Sequence, residues 1–159
     1  MVKIDALFKK KRISRINELE LERYVNFFEN SYLENIEHCK KNLSEFSRWS
    51  IISGYYAMHD ITKLLIAKQF RIKIDFKVHK TTIQVLRELI KNRELVVSLE
   101  KGYKEFLTLA NDLDEAKSER TKAQYYTGTV FMKEEYKKRA EDFLNNAVAY
   151  INKIKDLLK

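Results

Sequence analysis

The stretch SGYYAMHDITKLLIAKQF, residues 53–70, sets Tyr55, Tyr56, His59, Asp60 and Lys63 among apolar residues dense enough for burial on almost every side. Helical spacing puts Tyr56, His59 and Lys63 on one face, and Tyr55 beside His59. Histidine is the side chain most easily poised near neutral pH, so His59 is a candidate general base. No Ser or Cys nucleophile stands beside it in sequence. The commoner fate of such a histidine is a half-buried ring hydrogen-bonded to a tyrosine or a carboxylate. Asp60 and Lys63 are expected to pair along the helix surface.

Two further stretches have chemistry to offer. KVHKTT, residues 77–82, offers Lys77, His79, Lys80 and two hydroxyls at a predicted helix start, where the backbone already favours an anion. An ordinary capped helix with exposed lysines has the same residues. SERTKAQYY, residues 118–126, holds Arg120, whose fork can grip a phosphate, and Tyr125 and Tyr126, which can stack on a base. The plainer reading anchors both tyrosines on the protein and pairs Arg120 with a carboxylate. His38, Cys39, His59 and His79 form no metal signature: there is no CxxC pair and no HExxH. GxGxxG and Walker loops are also missing, so phosphate binding would rest on side chains and helix N-termini. No metal or other cofactor is expected.

Long helices must position these groups. The chain has no Pro, only three Gly and 34% charged residues, a composition with few breakers. Leu21, Val25, Phe28, Tyr32, Ile36, Cys39 and Leu43 step by three or four, predicting a helix over 18–43. Ser44 or Ser47 is placed to cap a second, over 47–70. RIKIDFKVHK reads as a loop alternating briefly like a strand. Thr81 with Gln84 makes a capping-box pattern opening a third helix over 81–98, striped by Ile83, Leu86, Ile90 and Val97. Residues 99–115 have a weaker helical pattern through Tyr103 and Phe106, and 111–129 are the most irregular part. Tyr136, Ala140, Phe143, Ala147, Ile151, Ile154 and Leu158 mark a last helix over 132–158. The expected fold is all-α: an antiparallel bundle of four to five helices over residues 16–159, preceded by a basic arm or short helix over 1–15.

The formal net charge is +8, and it is concentrated. Residues 1–15 carry Lys3, Lys9, Lys10, Lys11, Arg12 and Arg15 against Asp5, a net of +5. Residues 68–80 carry Lys68, Arg71, Lys73, Lys77 and Lys80 against Asp75, a net of +4. Such concentration favours phosphate-bearing partners or an acidic protein, and also fits a solvated lysine-rich surface. No apolar run is long enough for a membrane span, the N-terminus does not read as a secretory signal, and the single Cys39 fits a reducing cytoplasm.

Taken in order, SGYYAMHDITKLLIAKQF, KVHKTT and ERTKAQYY followed by a long last helix resemble the HEPN family of helical-bundle domains over residues 18–156. They match its YYAM-type second helix, its SHKG-type segment and its RxxADY segment. The resemblance implies a homodimeric bundle with a basic cleft, often beside a minimal nucleotidyltransferase in toxin–antitoxin pairs. Many relatives are metal-independent ribonucleases with an Arg-x4-6-His motif. Arg120 matches the arginine, but the histidine positions fall on Tyr125, Tyr126 and Thr127, and the acidic residue of ADY is Gln124.

The expected function is therefore nucleotide or RNA binding through a basic dimer cleft, with a nucleotidyltransferase partner. The binding residues would be Arg120, Lys77, His79, Lys80, Tyr125 and Tyr126. The alternatives are an atypical ribonuclease, with Arg120, His79 and His59 as candidate catalytic groups, and a non-catalytic structural interaction module.

Overall fold

The computed structural model describes residues 3–123 and 129–159, with side chains described for 3–109 and 134–159. In chain order the elements are α1 (Ile4–Lys9), β1 (Ile13–Arg15), α2 (Glu18–Lys41), α3 (Ser47–Phe70), β2 (Ile72–Ile74), α4 (Val78–Leu89), α5 (Arg93–Ala123) and α6 (Thr129–Leu158). The protein is thus an all-α helical bundle, with six helices among the described residues and a two-strand ribbon at one end.

α3 is the central helix and packs against α2, α4, α5 and α6. Sixteen of its residues are buried, including Ile51, Tyr55, Met58, Ile61, Leu64 and Leu65. Each large apolar side chain buried in this way contributes about 1.5–3 kcal/mol relative to exposure. From α2 the stripe Phe28, Tyr32, Ile36 and Cys39 meets it, and from α6 the stripe Tyr136, Ala140, Phe143, Ala147, Ile151 and Ile154. Both stripes are those read from the spacing. Tyr150 is also fully enclosed, and its hydroxyl hydrogen-bonds Thr62 on α3.

Three expectations about element ends are corrected. α3 starts at Ser47 without a side-chain cap: the Ser47 hydroxyl donates backwards to the Leu43 carbonyl at 2.8 Å. The capping box is not used either. α4 begins three residues earlier, at Val78, and Thr81 is fully buried with its hydroxyl donating to the Phe76 carbonyl. The helix read over 81–98 is two helices. Lys91 takes a left-handed φ of 56°, and the Asn92 side chain accepts the Leu95 N–H to cap α5. The break turns Val97 outward, where it is 51% exposed. Beyond it, helical backbone runs on through the stretch read as irregular, as far as Ala123.

Residues 4–15 are tied into the protein. β1 pairs antiparallel with β2 in the register Ile13↔Ile74, Ser14↔Lys73 and Arg15↔Ile72. Beneath the ribbon Leu7, Ile13, Ile66, Ile72 and Val85 form a second small core.

Candidate functional site

On α3, the polar residues among apolar neighbours find specific partners. Asp60 is buried and does not pair with Lys63 as expected. Its Oδ2 accepts the Ser31 hydroxyl at 2.7 Å and the Asn35 amide at 3.2 Å, which pins α3 to α2. The Lys63 ammonium instead lies 4.6 Å from the Phe28 ring centroid, and burial lowers its pKa. Neither Ser31 nor Asn35 is visible from α3 in sequence, since the contacts span 29 and 25 positions.

Tyr55 is fully buried, and its hydroxyl lies 2.7 Å from His79 Nδ1. The half-buried His79 ring therefore turns from the start of α4 towards α3. It stacks on Tyr103 at 5.3 Å and sits 4.9 Å from the His59 ring and 5.8 Å from Phe106. Tyr55 stacks on Phe106 at 4.9 Å, and Tyr56 meets Phe106 edge-on. Tyr103 and Phe106 had drawn no functional reading from the sequence, because their helical pattern there is weak.

This cluster holds its histidines neutral. Burial, then the neighbouring His59 and Lys63, pushes His79 down to about 4. Burial also lowers His59, whose two ring nitrogens have no hydrogen-bond partner among the described residues. The Asp60 carboxylate is 3.8 Å from its Nδ1. A histidine with so low a pKa is a poor proton acceptor at neutral pH. The geometry suits packing and orientation better than acid–base catalysis.

The start of α4 carries a different chemistry. Lys77 and Lys80 are exposed there, with Lys77 left-handed at φ 49°. The Arg12 guanidinium joins them by donating to Thr81 Oγ1 from Nε at 2.9 Å and from Nη2 at 2.6 Å. The Arg12 carbonyl also accepts the N–H groups of Asp75 and Phe76. With the β1–β2 ladder, these bonds merge the two basic segments into one face. Glu20 neutralises Lys73 at 3.0 Å, and Glu18 pairs with Arg71 at 3.3 Å. Lys9, Lys10, Lys11 and Lys80 are exposed and form no ion pair among the described residues. Arg12 was legible only as part of a charge run; its bond to Thr81 has no local signal.

Arg120 lies on the backbone of α5, fourteen residues past Phe106. At 1.5 Å per residue of helix, that is about 21 Å along the axis from the His79 cluster. Tyr125 and Tyr126 fall outside the described residues. Among the described residues no group of three or more His, Cys, Asp or Glu is placed to hold a metal ion, and no helix is long and apolar enough to cross a membrane. The chain matches no family model, no curated protein and no solved structure.

Proposed function

We propose that the protein binds the phosphates of RNA or a nucleotide at the basic face made by α1, the β1–β2 ribbon and the start of α4. Following the HEPN resemblance, it does so without cleaving the ligand, as a homodimer, and beside a nucleotidyltransferase partner. One observation carries the reading. The antiparallel pairing of Ile13–Arg15 with Ile72–Ile74 brings together segments of net +5 and net +4 that lie more than fifty residues apart in sequence. Clustered exposed lysines of this kind attract phosphates through counterion release. The low His79 pKa and the missing histidine after Arg120 favour binding over cleavage.

Fluorescence anisotropy with a labelled single-stranded RNA, titrated over a series of salt concentrations, tests this. Binding should weaken steeply with salt, and the triple variant Lys9→Ala/Lys10→Ala/Lys11→Ala should lose about tenfold or more in affinity with a shallower salt slope. RNA binding unchanged in that variant would overturn the reading, and RNA cleaved by the wild-type protein would revive the ribonuclease alternative.

A further inference from the structure

Against α3, the helices α5 and α6 leave between them a cavity of about 500 Å³, within the size range of small-molecule sites. Its floor is apolar: Met58 from α3, Phe143 from α6, and Val97 at the mouth. Gly102 thins the α5 wall above that floor. Packing does not demand glycine there, because a Cβ would meet Met58 Sδ at 3.4 Å and Phe143 Cζ at 3.6 Å, ordinary contacts. Mid-helix glycine costs about 0.5–1 kcal/mol relative to alanine, and what it leaves in return is room over Met58.

The rim carries charges of both signs. It carries Glu94, Glu105 and Asp142 against Lys101 and Arg139, one negative charge in excess on a chain of +8. Glu94 pairs with Lys153, and Glu105 with Arg139 at 2.9 Å. Lys101 on α5 and Asp142 on α6 are exposed and make no side-chain hydrogen bond or ion pair among the described residues. The cavity thus has one such cation on its α5 side and one such anion on its α6 side, with an apolar floor. With Lys153, the partner of Glu94, counted in, the rim carries no net charge, which separates this cavity from the basic face.

We infer that the α5–α6 cavity binds a small zwitterion with an apolar body, of the amino-acid type, its carboxylate on Lys101, its ammonium on Asp142, and its side chain over Met58 and Phe143.

The test uses the full chain and isothermal titration calorimetry with three probes: L-phenylalanine, phenethylamine, which lacks the carboxylate, and 3-phenylpropionate, which lacks the amine. Phenylalanine should bind saturably and at least about tenfold tighter than either single-charge analogue. Asp142→Asn, a near-isosteric change at an exposed position, should weaken phenylalanine about tenfold, leave phenylpropionate unchanged and keep the wild-type melting temperature. Gly102→Leu should abolish binding of all three by filling the floor, while RNA binding at the basic face stays as in wild type. No binding of phenylalanine at millimolar concentration, equal binding of the three probes, or phenylalanine binding that Asp142→Asn leaves intact would overturn the assignment.

Discussion

Arg12 holds Thr81 across 69 positions of sequence, with Nε at 2.9 Å and Nη2 at 2.6 Å from the threonine hydroxyl. This one contact ties the basic N-terminal segment to the start of α4. Thr81 is wholly buried, and its hydroxyl also donates to the Phe76 carbonyl at 2.7 Å. Charged hydrogen bonds of this kind contribute about 1.5–3 kcal/mol. Arg12→Ala should therefore lower the melting temperature by several degrees and weaken RNA binding more than loss of one surface lysine does. Thermal unfolding followed by circular dichroism, together with anisotropy, checks both halves.

Lys77→Ala should act differently. Lys77 is exposed, so its removal should leave the melting temperature unchanged and reduce affinity modestly. The loss should fade as salt rises, because screening shortens the reach of a lone surface charge. Arg120→Ala is the informative companion. A loss of about tenfold or more in RNA affinity would place Arg120 in the binding surface despite its distance along α5; an unchanged affinity would confine the surface to the ribbon end.

The histidine cluster makes stability depend on pH in a definite direction. His79 falls from an ordinary 6.5 to about 4 in the folded protein, chiefly through burial, and His59 is lowered for the same reason. The unfolded chain binds these protons more readily than the folded one. The stabilisation is fully present above pH 6.5 and is lost as pH falls towards 4. The groups facing His79 are Tyr55, His59, Lys63 and Asp60 from α3 and Tyr103 from α5. Urea unfolding between pH 7.5 and pH 4.5 should show the midpoint falling, and His79→Gln should flatten that fall. Because the His59 ring is buried and its nitrogens have no hydrogen-bond partner among the described residues, His59→Leu should be neutral or stabilising at neutral pH, and should flatten it too.

Asp60→Ala should destabilise the protein by about 1–3 kcal/mol, since it strands the Ser31 hydroxyl and the Asn35 amide between α2 and α3. Denaturant midpoints for Asp60→Ala and for the double variant with Ser31→Ala check this. The two effects should not add, because both changes break the same contact.

The two central glycines should respond in opposite directions. At Gly54 a Cβ would stand 3.0 Å from Cys39 Sγ and 3.0 Å from the Phe143 ring, so Gly54→Ala forces overlap in the core. That costs about 1–3 kcal/mol and outweighs the gain in helix propensity. Gly102→Ala meets only ordinary contacts and should stabilise by about 0.5–1 kcal/mol. Melting temperatures of the two single variants decide it.

The helices α2, α3 and α6 and their buried faces were legible in the amino-acid sequence, whereas α4 and α5 were read as one helix followed by an irregular stretch. The stripe from Tyr136 to Ile154 predicts α6, and the dense run from Ser47 to Phe70 predicts α3 with its ends in place. Apolar periodicity is local, so a single helix reveals its inward face without reference to its neighbours. The concentration of charge in residues 1–15 and 68–80 was equally plain. Only the tertiary structure decided that these two segments share a face, that His79 turns inward to Tyr55 across 24 positions, and that Asp60 reaches Ser31 rather than Lys63. Those pairings depend on the path of the chain and on which buried polar groups must find partners once α2, α3 and α4 close together. A three- or four-residue period carries no record of that choice.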